Sequence, residues 1–158
     1  GNDYESIRPM KAEDIGDVLR LMQPLVEEGI LINRSENDLM NRQADFVVYS
    51  IDDVVHACGA LHDYGEGQGE IAAIATNPVY KHLSMGRKIV SYLVEKAATL
   101  GMTRVFALTT QTVDWFEHLG FVEANLDSLP GKKRTMYNHA RKSRILALEL
   151  KDRKPIKS

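Results

Sequence analysis

The chain has 158 residues, 44% of them hydrophobic, and its 20 Lys and Arg against 22 Asp and Glu leave a formal net charge of −2. That suits one globular domain with a sizeable core, and no apolar run approaches the roughly 20 residues of a spanning helix, which excludes a helical membrane protein. The near-neutral total hides an asymmetry: residues 1–125 hold 10 basic and 19 acidic side chains, and residues 126–158 hold 10 basic and 3 acidic, so an anionic ligand is to be sought near the C-terminal stretch.

In chain order, residues 5–9 alternate weakly and predict a short edge strand. Over residues 11–28, Ile15, Val18, Leu19, Met22, Leu25 and Val26 recur at helical spacing, with Gly29 placed as the cap. Pro24 inside that pattern predicts a kink or a split into two helices. Ser35 with Asp38 three positions on is a helix-start signature and predicts a short helix to about Gln43. Residues 46–51 and 54–61, joined by Asp52-Asp53, predict a hairpin. Cys58, the single cysteine, lies in its apolar run and reads as a buried, inert thiol.

Gly65 to Gly69 is a hairpin loop; it lacks the lysine of a phosphate-binding loop and does not open a helix. Residues 70–75 are apolar apart from Glu70 and predict a buried central strand, stopped by Asn77-Pro78. Residues 86–100 predict a second amphipathic helix, 105–108 a buried strand, and 113–119 a short helix closed by Gly120. Phe121-Val122 starts another strand. After Pro130-Gly131 the chain turns basic, and residues 145–150 alternate as a last strand before a polar tail, 151–158, expected to fray. The expectation is an α/β (α+β) domain over residues 1–150, with a mixed sheet flanked by helices.

The most informative segment runs from Ile74 through Thr76, Asn77 and Pro78 to Met85, Gly86, Arg87 and Lys88. A buried strand leads through a loop into a helix whose first residues are small or basic. First-turn N–H groups have no intrahelical partner, and the helix dipole favours an anion there. Gly86 would let a phosphate oxygen approach the backbone; an ordinary strand-to-helix turn is the alternative. The five histidines show no HExxH spacing, and no paired cysteines occur, so no metal site is expected.

The run from Asn77 to Gly86 and the helix after it resemble the acetyl-CoA loop of the GNAT acetyltransferase superfamily. That pattern is Gln or Arg, two residues, Gly, one residue, then Gly or Ala; Lys81, Ser84 and Gly86 take its positions. Lys81 keeps the charge, and Ser84 replaces the glycine on condition that its φ is not positive. Trp115-Phe116-Glu117-His118-Leu119-Gly120-Phe121 is similar to a second family segment. Within the superfamily, four further segments resemble the acetyltransferase domain of the bacterial N-acetylglutamate synthase family: residues 29–35, 69–75, 107–110, and Leu129-Pro130 with 137–143.

The resemblance implies a GNAT-like, mostly antiparallel sheet and acetyl transfer from acetyl-CoA to the α-amine of L-glutamate, the opening of arginine biosynthesis, with no metal. It implies Glu70 as the base that takes a proton from the attacking amine; a solvated carboxylate at a strand end is the other reading of that residue. It implies a main-chain N–H of Ala73 or Ile74 for the carbonyl oxygen, with Ala75, Thr76, Lys81, Ser84, Met85, Gly86, Arg87 and Lys88 along the acetyl-CoA loop. Thr109 matches a family hydroxyl that orients the amine or serves the leaving thiolate. Phe116 stands where many GNAT enzymes have a tyrosine acid and is expected to pack near the CoA.

Arg34 and Arg141 match the arginines that hold glutamate, and a guanidinium forks onto a carboxylate better than an ammonium does. The other basic residues after 125, Lys133 included, read as solvent-facing charge. A GNAT enzyme with another amine acceptor and a catalytically silent acetyl-CoA-binding domain are the alternatives. Nucleic-acid binding through residues 132–154 lacks aromatic interleaving or a recognition motif. The family's amino-acid-kinase-like domain has no counterpart here, so an excised domain or a short single-domain form is expected, with homo-oligomerisation open. The first residues show no leader pattern, which leaves a cytoplasmic location as the expectation.

Overall fold

Seven strands form one sheet in the order β1-β2-β3-β4-β5-β7-β6 in a computed structural model that describes residues 5–153, the side chains of Lys81, His82 and Ala140 excepted. The strands are β1 (Glu5–Pro9), β2 (Phe46–Ile51), β3 (Val54–Asp63), β4 (Gln68–Thr76), β5 (Arg104–Thr109), β6 (Val122–Ala124) and β7 (Arg144–Glu149). Every pairing is antiparallel except β4 with β5, so the mixed, mostly antiparallel sheet is as expected. Five helices flank it: α1 (Ile15–Glu27), α2 (Glu36–Asn41), α3 (Met85–Thr99), α4 (Val113–His118) and α5 (Gly131–Met136).

Alternation along the strands divides the core between the two faces. Val47, Tyr49 and Ile51 of β2 pack with Ile89, Leu93 and Ala97 of α3, while Phe46 and Val48 pack with Ile15, Val18 and Met22 of α1 and with Leu39 of α2. The Asp52-Asp53 turn takes positive φ at both residues, 50° and 66°, as a two-residue hairpin with right-handed twist requires. Ser35 caps α2 by accepting from Asp38 N–H, and the Asp38 carboxylate accepts from Ser35 N–H in return.

Three points differ from the expectations or add to them. Of the kink or split expected at Pro24, the split does not occur: α1 continues to Glu27, and the missing N–H falls in its last two turns, opposite the exposed Arg20. The basic segment after Pro130 contains a helix, α5, whose six residues are too few to show a period. Lys151 and Asp152 lie in a 3₁₀ turn, and Arg153 pairs with Glu95 at 3.0 Å, so that part of the tail is tied down. Residues 1–4 and 154–158, on which the leader reading and the rest of the tail reading fall, lie outside the described residues.

A bulge in β4 opens the sheet. Cys58 faces Ala75 and Ala60 faces Ala72, so Ala73 and Ile74 together oppose Gly59, and Ala73 turns to φ 58°. Gly59 is required there: a Cβ would come within 2.5 Å of Ile89 and 2.7 Å of Ile74. On its other side β4 pairs with β5 only from Gln68 to Glu70. Beyond that point the two parallel strands part, and the β4 edge from Ile71 onward has no strand partner.

Candidate active site

The parting of β4 and β5 creates two pockets that share Ile30, Leu31, Ala72, Ala73 and Leu108 as their common wall. The loop after α1 roofs this junction: Ile30 and Leu31 both donate N–H groups to Leu25 O. Gln111 Nε2 and Thr110 Oγ1 reach the carbonyls of Glu28 and Gly29 at 3.2 and 3.4 Å.

The first pocket, about 500 Å³, collects charge from distant parts of the chain: Arg34, Arg42, Glu70, Lys133 and Arg141. Glu70 is buried, at 7% exposure, so it is not the solvated carboxylate of the alternative reading. Its Oε1 is 2.9 Å from Lys133 Nζ. Arg34 has a buried Nη1 with no acceptor among the described residues. Burial pulls this guanidinium below the ordinary arginine value, and nearby Glu70 pulls it back up. Arg141 is anchored by Nη2 donating to Ile30 O at 2.8 Å, which ties the C-terminal segment to the roof loop. His62, directly opposite Glu70 across the β3–β4 ladder, is buried with Nδ1 2.8 Å from Asp45; burial lowers its pKa against the opposing effect of its hydrogen bond to the Asp45 carboxylate.

The second pocket, about 460 Å³, is built from the loop and helix start singled out in the sequence: Ile74, Thr76, Tyr80, Ser84, Met85, Gly86 and Arg87, with Thr109, Thr112, Trp115 and Phe116. The first-turn N–H groups of α3 open here, and no acidic residue stands in that turn, a setting that suits the phosphates of a nucleotide-bearing thioester. Trp115, Phe116 and Tyr80 supply apolar wall. Gly86 has a reason beyond ligand approach, because a Cβ would lie 3.3 Å from Trp115 Cζ2.

Thr109 is buried, and its Oγ1 accepts from Thr112 N–H at 2.9 Å and from Gln111 N–H at 3.3 Å. With both lone pairs engaged, its hydroxyl donates to Thr112 Oγ1, 2.6 Å away. Thr112 lines the pocket, and in this arrangement its own hydroxyl hydrogen is not used by Thr109.

Several sequence-derived positions need revision. Ser84 has φ 52° and ψ 41°, so the condition under which serine replaces glycine without strain is not met. Lys88 does not line the cleft; its Nζ lies over the Tyr49 ring and 4.0 Å from Glu5, where burial and Glu5 push the Tyr49 hydroxyl up to about 12. Ala75 is buried in the core beside α1 and does not line the cleft either. The Lys81 side chain lies outside the described residues. Cys58 is fully buried, donates to Ala73 O and has its thiol pushed up to about 12 by burial, as befits an inert thiol.

Lys133 is the site residue that sequence reasoning missed. A buried carboxylate demands a cationic partner, so the expectation of a buried strand at Glu70 was the available signal. Sequence alone does not say which of many basic residues answers it. Ser143, buried on the wall of the first pocket, and Thr112 were missed for the same reason: their positions depend on long-range folding.

The family model of the acetyltransferase (GNAT) family matches residues 16–121. The amino-acid acetyltransferase of Photorhabdus laumondii is 39% identical over 147 residues, which cover 92% of this chain and 33% of the relative. That of Vibrio vulnificus is 37% identical over the same shares. The chain thus spans about a third of the length of the curated relatives it matches. Among solved structures, N-acetylglutamate synthase from Neisseria gonorrhoeae, complexed with coenzyme A and N-acetyl-glutamate, superposes with a TM-score of 0.89 at 35% identity, covering 95% of this chain and 36% of that one. Rv2747 from Mycobacterium tuberculosis shares the fold, with a TM-score of 0.76 at 23% identity over 91% of this chain and 98% of that one.

Proposed function

This chain belongs to the GNAT acetyltransferase family, and from that membership we propose that it transfers the acetyl group of acetyl-CoA to the α-amine of L-glutamate by direct attack in a ternary complex. The observation that carries the reading is Arg34. Among the described residues no acceptor answers its buried Nη1, and it lines the pocket that also holds Lys133, Arg141 and Glu70; an acceptor with two carboxylates offers anions to these cations while its amine meets Glu70. A cationic acceptor such as a polyamine would find the wrong charges there.

Acetyl-CoA supplies an activated thioester when bound. Ser84, Met85, Gly86 and Arg87 would hold its phosphates, and Phe116 and Trp115 would flank its thiol arm. Glu70 takes a proton from the substrate ammonium, without which the amine has no lone pair for attack. The unpaired β4 edge offers a main-chain N–H of Ala73 or Ile74 to the carbonyl oxygen as negative charge develops there. Thr112, oriented by Thr109, can hydrogen-bond the departing thiolate; with a pKa of about 8.5 for a free thiol, that group leaves without full protonation. Cys58, the sole cysteine, is sealed in the core, which favours direct transfer over an acyl-enzyme. A cytoplasmic location goes with this reading, since acetyl-CoA is met there.

The test is release of CoA thiol with each amino acid in turn, for the wild-type chain and Glu70→Gln. Turnover with L-glutamate that Glu70→Gln loses is expected. Turnover with a different amine and none with glutamate overturns the reading.

A further inference from the structure

The Lys133 ammonium and the Glu70 carboxylate lie 2.9 Å apart with side-chain exposures of only 15% and 9%. Lys133 Nζ also sits 5.3 Å from the centre of the Tyr64 ring and 3.5 Å from its hydroxyl. An ammonium on Oε1 favours the ionised carboxylate, so the paired Glu70 is a weaker base towards an incoming amine than it becomes once the lysine moves. Once displaced, a cation inside a pocket needs another anion at once, because an unpaired buried charge is costly.

The backbone limits how far that anion can be. Gly131 N–H, at the start of α5, donates to Glu66 at 3.1 Å, and Arg134 Nη1 holds the carbonyls of Asp127 and Leu129 at 3.2 Å. With α5 tethered at both places, the flexible four-carbon stem of Lys133 does the moving. In an α-amino acid the α-carboxylate is borne on the same carbon as the amine, so it reaches Glu70 together with it. The side-chain carboxylate of glutamate lies farther along the molecule, within the province of the two arginines.

We infer that Lys133 is a specificity-determining residue that exchanges Glu70 for the α-carboxylate of the incoming amino acid, freeing the base only for an amine with a carboxylate on the same carbon. The inference rests on the role proposed above for Glu70 and L-glutamate. Lys133 remains an ammonium throughout, and the proton lost by the substrate goes to Glu70. Simple amines and polyamines leave the Glu70–Lys133 pair closed.

The experiment measures kcat/KM by CoA-thiol release for L-glutamate, its α-amide (isoglutamine) and its side-chain amide (glutamine), in wild type, Lys133→Met, Lys133→Gln and Lys133→Arg. Wild type is expected to lose about ten- to a hundredfold on the α-amide, the worth of a hydrogen bond between charged groups. In Lys133→Met that loss largely vanishes while the loss on glutamine persists; Lys133→Arg retains both. Lys133→Gln keeps a hydrogen bond to Glu70, guards against misfolding, and should behave as Lys133→Met. Each penalty is a ratio within one enzyme, so a general loosening of the fold cancels. An unchanged α-amide penalty in the neutral variants, or a coupling that appears on glutamine instead, overturns the assignment while leaving the proposed function standing. No turnover of L-glutamate by wild type overturns both.

Discussion

The two pockets beside the β4 bulge are built of different materials, and on the proposed reading would recognise their ligands differently. The first relies on charged side chains brought from residues 34, 70, 133 and 141. The second relies on a contiguous stretch, Ile74 to Arg87, in which a helix start, a glycine and main-chain groups matter more than charge, helped by aromatic walls from α4. Recognition by assembled side chains tolerates sequence drift elsewhere but fails when one charge is lost. Recognition by backbone fails when the chain's shape changes. Substitutions should therefore separate the two pockets cleanly, and the bulge residues they share are where the separation ends.

The largest effect is expected from Glu70→Gln, which removes the base, keeps the side chain's size and leaves the second pocket in place. It should lower kcat by about 10²–10⁴-fold with the KM for acetyl-CoA unchanged; a kcat within a few-fold of wild type would remove Glu70 from the chemistry. Next, Arg141→Ala and Arg34→Ala should each raise the KM for glutamate by about tenfold to a hundredfold, as expected for a lost charge-assisted hydrogen bond. Equal effects on both substrates would abolish the distinction between the pockets.

Gly86→Val probes the opposite side. Its side chain meets Trp115, and overpacking of this kind should raise the acetyl-CoA KM by about tenfold, or ~1.4 kcal/mol, without touching that for glutamate.

Smaller effects concern stability. Burial holds the His62 imidazole below its ordinary value of 6.5, so the folded chain binds fewer protons there than the unfolded one. Its contribution is complete above about pH 6.5 and is lost progressively as the pH falls from there towards the lower folded value. Urea midpoints at about pH 7.5 and 5.5 should differ in wild type and differ less in His62→Gln; an undiminished difference would place the proton uptake elsewhere. The smallest effect is expected at Ser84, whose left-handed φ strains a residue with a Cβ. Ser84→Gly should gain about 0.5 kcal/mol in denaturant unfolding, strain relief less the added freedom of the unfolded chain. A loss of stability would show that the serine side chain earns its place.

The same contrast explains what the sequence could reveal. Helix and strand periods, the Ser35 cap and the Asp52-Asp53 turn are local, and the structure places those elements within a few residues of expectation. The strand-loop-helix unit of the second pocket was legible for the same reason, since Thr76, Ser84, Met85, Gly86 and Arg87 lie on one contiguous stretch, although its reading as an acetyl-CoA loop came from resemblance. Lys88 follows them in sequence but turns towards Glu5, because each helical step rotates the side chain by about 100°. The acceptor pocket was legible only in part: Arg34, Glu70 and Arg141 came from resemblance. Lys133 looked like one more surface charge until α5 carried it over the sheet. The positive φ of Ala73 was equally hidden, because an alanine in an apolar strand carries no mark of a bulge.

Initial-rate kinetics with acetyl-CoA and L-glutamate varied together test most directly whether the two pockets act across one shared wall. Intersecting double-reciprocal lines, with no CoA released in the absence of the amino acid, are expected for direct transfer in a ternary complex. Parallel lines, with a stoichiometric burst of CoA before glutamate is added, would contradict it.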